Sequence, residues 1–337
     1  MQVLYHLTMP PSPMAACDAV VQEIEALRAV GSIHGQVIHL YPGRKPGTRF
    51  PRRWWGLQHL PYLLHAEQHV DLHHFFNPDP FPFDVLRFLR RPIIYTAVAG
   101  VCGSDRDTVR RLARLTRTLV VPTESGRIEL QTLGIANVIT IQPGIDTARF
   151  SDTPPPPARP FTLLLGSAPW TLDQFESKGV EALLQVAQSR PGLRLIFLWR
   201  GLYLKEIEHR LAQTGLSERV TVINQQVDVS RVLAQAHAAV VLASDATVVK
   251  AYPHSLLEAL AAGRPVLVSR AIPMAEYVEQ TGCGQIVEAV NAEAVLKALA
   301  RLEANYGACR AAALQAGQRD FTQQTMIQAY QRLYASI

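Results

Sequence analysis

Five prolines fall within residues 153–160. No helix interior or sheet ladder can run through them, because each proline lacks the backbone N–H and holds φ near about −65°. The segment is read as a stiff, extended connector. It divides a chain of 337 residues, longer than one hydrophobic core usually supports, into halves that repeat one pattern. In the first half, short apolar runs at 3–6, 37–40, 92–96, 118–122 and 139–141 are separated by helical segments, the clearest at 18–30 before Gly31. In the second, runs at 161–165, 194–198, 220–223, 239–242 and 265–268 alternate with helices in the same way. Buried strands joined by helices imply parallel sheets covered on both faces. The expected fold class is α/β: two doubly wound, Rossmann-like domains, 1–152 and 153–319, facing a cleft, with ligands beyond the carboxyl ends of the strands.

Composition narrows the function classes. With 48% apolar and 18% charged residues, the chain is an ordered globular protein rather than a disordered or fibrous one. Cys17, Cys102, Cys283 and Cys309 are far apart and offer no zinc-like spacing, which fits a reducing cytoplasm. The N-terminus has no basic region before an apolar stretch, and no run of eighteen apolar residues occurs, so neither secretion nor membrane spanning is expected. Residues 1–150 hold 16 Lys+Arg against 12 Asp+Glu, leaving 17 against 16 for the remainder. The excess lies in Arg52-Arg53, in Arg87, Arg90 and Arg91, and in the arginines between 106 and 117. It is either a solvated helix face or a surface for an anionic acceptor or anionic lipid. Nucleic acid is not expected, since aromatic residues are not interleaved with the basic ones as stacking platforms.

The most informative stretch, 252–268, reads Tyr-Pro-His-Ser-Leu-Leu-Glu-Ala-Leu-Ala-Ala-Gly-Arg-Pro-Val-Leu-Val. It predicts a tight loop, a helix with Glu258 in its first turns, a stop at Gly263 and a buried strand. N–H groups at a helix start attract phosphate, which makes His254, Ser255 and Leu256 candidates. Ser255 has a second role open to it, as an N-cap reaching the N–H of Glu258. Glu258 either accepts hydrogen bonds from ribose hydroxyls or favours the helix dipole. Lys178, beside Gly179 at a strand–loop–helix entrance, is a surface cap or a point charge for a diphosphate, the second reading being preferred. His237 is read as a packed residue.

These residues resemble the nucleotide-sugar motif of glycosyltransferase family 4, the group 1 glycosyl transferases. In that motif two glutamates eight positions apart precede a small-residue helix, Gly-x-Pro and a strand; Glu258 stands at the second glutamate and Lys250 at the first. Leu165-Gly166 followed by Lys178-Gly179-Val180 is similar to the family's phosphate-binding signature. Residues 120–125 and 134–150, with Pro143-Gly144-Ile145-Asp146 and a closing Phe150, are similar to the end of its first domain, and 321–334 to its last helix. The resemblance spans about 220 residues in order. It implies the GT-B architecture, a terminal helix (about 320–337) crossing back onto the first domain, and a donor held at Gly166, Ser167, Lys178, Lys250, His254, Ser255, Leu256 and Glu258. Ser167 replaces the family's usual arginine, a loss that Lys250 or Arg200 would offset.

The N-terminal match is weaker. Thr8-Met9-Pro10-Pro11-Ser12-Pro13 replaces a Gly-Gly turn, and Val98 stands where the family commonly has a histidine. The family's other histidine-bearing strand corresponds to 70–75, so His73 or His74 would bind an acceptor hydroxyl as catalytic candidates, with packing as the alternative. Asn77 and Asp79 share that loop. The reading is a glycosyltransferase (EC 2.4 type) acting in polysaccharide or glycoconjugate biosynthesis. It would move a sugar from a UDP- or GDP-sugar to a sugar, lipid-linked or small-molecule acceptor. No cofactor and no metal are expected, with cations and helix ends stabilising the leaving diphosphate, and the resemblance implies retention. The alternative is a catalytically silent GT-B protein that binds a nucleotide-sugar or supports a partner enzyme. The expected location is cytoplasmic, with peripheral contact at the inner membrane face.

Overall fold

The computed structural model describes residues 1–9, 18–43, 50–150, 152, 154–199 and 202–337. Pro10 to Pro13, Cys17, Thr153 and Arg200, singled out above, lie outside them. The chain forms two compact units, one of Met1–Pro143 with Met326–Ile337, the other of Gly144–Thr325. Among the described residues no helix is long and apolar enough to cross a membrane.

In the first unit the strands are β1 (Gln2–Leu7), β2 (His34–His39), β3 (Leu72–Asn77), β4 (Ile93–Ala97), β5 (Thr118–Val121) and β6 (Val138–Thr140). They pair in parallel in the order β2-β1-β3-β4-β5-β6. Side chains alternate across this sheet. Leu4, Phe75 and Tyr95 enter one core with Leu63, Val85 and Leu112, while Val3, Tyr5, Phe76 and Ile94 enter another with Val20, Leu27, Tyr330 and Tyr334.

The second unit holds β7 (Phe161–Leu165), β8 (Leu193–Leu198), β9 (Val220–Ile223), β10 (Ala238–Val241), β11 (Val266–Ser269) and β12 (Gly284–Val287). Their order is β12-β11-β10-β7-β8-β9, again parallel. The chain runs outward from β7 through β8 and β9, then returns to the other side of β7 as β10, so the topological switch lies between β7 and β10. A crevice at the carboxyl ends of those two strands is where such sheets receive ligands.

The units divide at 143/144 rather than at 152/153. Ile145 and Phe150 are buried in the second unit's core; Ile145 N–H donates to Phe321 O at 2.9 Å and Gln323 N–H to Ile145 O at 2.8 Å. The proline segment belongs to the same unit. Prolines lack donors but keep acceptors, and those are taken: Arg264 donates to Pro154 O at 3.2 Å and His237 Nε2 lies 3.0 Å from Pro157 O. His237 also accepts from Thr162 N at 3.0 Å and stacks on Phe161, in keeping with its reading as a packed residue. The last helix, Gln323–Ala335, passes into the first unit at Met326, where Tyr330 and Tyr334 fill the core.

Candidate active site

Past the end of β7 the chain must turn sharply beside the start of the helix His254–Ala261. Any side chain at Gly166 would collide with Ser255, so glycine lets Gly166-Ser167 lie against that helix. The chain then reaches the short helix Gln174–Ser177, Lys178 and Gly179. Gly179 has φ +70°, and a Cβ there would stand 2.8 Å from Leu242 Cβ just beyond β10. Ser244 N–H donates to Ser177 O at 2.8 Å, which ties the two loops together across the switch point.

Lys178 sits within this junction and is only 4% exposed. Its Nζ donates to Ala168 O at 3.0 Å, and no carboxylate pairs with it among the described residues. An ammonium has three donors, so two remain for another acceptor. Burial without a counter-charge lowers its pKa from the ordinary 10.5 to about 8. A diphosphate placed here would supply the missing negative charge and acceptor oxygens.

The loop after β10 carries Lys250, half-buried with its Nζ out of solvent, and is held by Met274 N–H donating to Ala251 O at 3.1 Å. The helix that follows is capped by Pro253 in an extended conformation, without a side-chain cap bond. Ser255 is thus its second residue rather than its N-cap, and stays available beside Gly166. Leu256 departs from expectation too: its side chain is fully buried, and its N–H already donates to Pro253 O at 2.9 Å, leaving nothing for a donor. His254 is buried at the helix start, and Glu258, 7% exposed in the second turn, lies past the first turn where the dipole acts.

The N-terminal candidates fare differently. His73 and His74, neighbours on β3, point to opposite faces and are both fully buried. His73 Nε2 is 3.1 Å from Glu67 Oε1, and its Nδ1 is 3.0 Å from His6 Nε2. The carboxylate only accepts, so the proton sits on His73 Nε2 and His6 donates into Nδ1. Glu67 also accepts from Arg90 N at 2.6 Å and Arg91 N at 3.0 Å. Burial raises its carboxyl pKa, but these donors and His73 outweigh that and hold it below its ordinary value. His74 Nδ1 lies 2.7 Å from Tyr334 OH and Nε2 2.8 Å from Thr96 Oγ1. Burial keeps both rings neutral, lowering His73 despite Glu67 and His74 strongly. With every ring nitrogen engaged, both histidines are packed as core residues.

Val98 packs partly buried on the same core. Asn77 and Asp79 join a network the sequence did not announce. Asn77 Nδ2 donates to Asp79 Oδ1 at 3.0 Å, and Arg52 donates to both Asp79 carboxylate oxygens, at 3.0 Å to Oδ2. The chain's one Asp-x-Asp spacing is Asp105-Arg106-Asp107. Asp105 caps the helix Arg106–Leu115 by accepting from Thr108 N at 2.8 Å, and Asp107 lies 3.4 Å from Arg110. Among the described residues no three His, Cys, Asp or Glu side chains are grouped to hold a metal.

Comparison with known proteins adds to this geometry. Residues 173–319 match the family model described as Glycosyl transferases group 1. No curated protein sequence matches the chain. Among solved structures, Anabaena Alr3699/HepE in complex with UDP is similar at 14% identity and TM-score 0.72, with all of both chains covered. Sucrose-phosphate synthase (tll1590) from Thermosynechococcus elongatus is similar at 17% and 0.72 over all of both chains. WaaG, a glycosyltransferase involved in lipopolysaccharide biosynthesis, is similar at 17% and 0.66 over 98% of each. At these identities the structural likeness is one of fold, and the fold is GT-B.

Proposed function

Proceeding from the group 1 glycosyl transferases domain formed by residues 173–319, we propose that this protein transfers a sugar from a nucleoside-diphosphate sugar to an acceptor hydroxyl. The donor, a UDP- or GDP-sugar, is held by the C-terminal unit; the acceptor is a sugar, lipid-linked or small molecule. The observation that carries this reading is Lys178, a buried ammonium at the β7/β10 switch with one carbonyl partner and, among the described residues, no carboxylate. The diphosphate is assigned to Lys178, Gly166, Ser167, His254 and Ser255, with Lys250 in place of the family's missing arginine, and the ribose to Glu258. HepE, of the same fold, has been solved in complex with UDP, with UDP-glucose and with UDP and glucose, which supports a uridine donor and a sugar acceptor.

In the transfer, the acceptor oxygen bonds to the anomeric carbon as the bond to the diphosphate oxygen breaks, and the acceptor proton leaves with the diphosphate. Lys178 and the N–H groups of His254 and Ser255, at the start of the helix His254–Ala261, take up the charge that develops on the leaving group. That assignment requires no metal, and retention is the course the family resemblance implies. A second reading, a silent nucleotide-sugar binder, is favoured by Lys250 and Ser167 in place of the family's residues. We assign the reaction to the cytoplasm.

Thermal unfolding of wild type and Glu258→Ala with UDP, GDP, ADP, CMP and their sugars tests the proposal, together with donor hydrolysis. One nucleotide is expected to raise the melting temperature, to lose that effect in the variant, and its sugar to be slowly hydrolysed. Binding with neither hydrolysis nor transfer would turn the conclusion to the silent binder. No shift with any nucleotide would sink both.

A further inference from the structure

One layer of the first unit covers a single face of its sheet. Trp55 and Leu57, the helix Leu60–Ala66, the turn Asp84–Arg87 and the helix Arg106–Leu115 all fill the same core. Whatever these segments expose lies on the outer surface of that one layer. On the helix Leu60–Ala66 it includes Tyr62 and Leu64, at 47% and 39% exposure, and beyond that helix three large aromatic side chains, Phe50, Trp54 and Phe88, at 41%, 38% and 49%, whereas the helices on the opposite face expose no large apolar side chain. The segments bearing them are packed together: the turn Arg52–Trp54 lies on Asp84–Arg87, and Gly56 fits where a Cβ would meet Val85 at 2.8 Å.

Beside the rings stand Arg53, its guanidinium 5.2 Å from the Trp54 ring centre, Arg87 and Arg90, all exposed. None of the three has an ion-pair partner among the described residues. Of the layer's acids, Glu67 is buried among N–H donors and His73, Asp79 pairs with Arg52, Asp105 caps a helix and Asp107 lies 3.4 Å from Arg110. That leaves the half-buried Asp84, on the turn that carries Arg87, against three unpaired arginines. The outward face is left aromatic and cationic. Such a face costs free energy in water and complements a surface with anionic headgroups above an apolar interior, where aromatic rings and arginines both settle.

We infer that this surface, built on Trp54, Phe88, Arg53, Arg87 and Arg90, docks the first unit onto an anionic lipid bilayer. It rests on the proposed function only in that a docked transferase would take its acceptor from the same bilayer. Co-sedimentation with phosphatidylcholine vesicles, with and without phosphatidylglycerol, tests it without any donor. The full chain is expected to sediment with the anionic vesicles at low salt and to be released at high salt. Arg87→Glu/Arg90→Glu is expected to bind at least about twentyfold more weakly, at about fivefold per arginine removed, and Trp54→Ser/Phe88→Ser to bind more weakly while unfolding at the wild-type temperature. Failure of wild type to sediment, equal binding to neutral vesicles, or arginine variants that sediment like wild type would overturn the inference. So would a lipid-free dimer abolished by the same changes, which would make a second copy the occupant. Nucleotide-induced stabilisation measured on the same samples reports separately whether the donor reading holds.

Discussion

Lys178 in the second unit and His74 in the first are both taken almost wholly out of water, at 4% and 0% exposure. Burial depresses the pKa of both. Yet one faces a single carbonyl oxygen, while the other has both ring nitrogens engaged, by Tyr334 and Thr96. A buried polar group whose hydrogen-bonding capacity is filled belongs to the core; one held charged with capacity to spare is poised for a ligand. Burial and a shifted pKa do not separate the two cases, and the count of partners does.

The difference can be strained hardest with acid. His6, His73 and His74 all have folded pKa values below the ordinary one. The unfolded chain therefore binds protons first as pH falls through about 6.5, and stability present above that pH is lost below it. Each histidine contributes at most about 1.4 kcal/mol per pH unit, so the three together give about 4. Urea unfolding between neutral and mildly acidic pH should show this slope, reduced by about a third in His74→Phe; a pH-independent midpoint would mean the histidines titrate freely. Next in size is Gly179→Ala, expected to cost about 2–4 kcal/mol from left-handed backbone strain and the clash with Leu242. Thermal unfolding checks it, and an unchanged midpoint would show that the loop junction is loose. Smaller still, His74→Phe at neutral pH should cost about 1–3 kcal/mol by leaving Thr96 and Tyr334 short of a partner, with nucleotide affinity unchanged.

Much of this was legible in the sequence, and the parts that were not share a cause. Eleven of twelve strands follow from local signals or, for β3, from the family resemblance; the exception, β12, offers only Ile286 and Val287 as apolar residues. The prolines at 154–157 do break regular structure, but they do not divide the units. Their carbonyls are bound by Arg264 and His237, residues about a hundred positions away with no local signal for that role. Lys178 was legible because Gly179 marks its turn and the family resemblance adds a phosphate role. Ala168, which supplies a backbone carbonyl, has no signature of its own. For His73 and His74 the sequence left packing and catalysis open. What decides is Glu67, near in the chain, and Tyr334, 260 residues away. Ser255 looked like a cap because cap rules weigh side chains, and here the helix starts two residues earlier, capped by Pro253.

The most direct test of the central claim is calorimetric titration of the best-stabilising nucleoside diphosphate into wild type and Lys178→Ala, at neutral pH and above pH 8. A charged hydrogen bond is worth about 1.5–3 kcal/mol, so the variant should bind about ten- to a hundredfold more weakly. Wild-type affinity should fall as pH rises through about 8, where the free enzyme's Lys178 loses its proton, and the variant's should not. Equal affinity in the two proteins, or the same pH slope in both, would contradict the assignment of the diphosphate to Lys178.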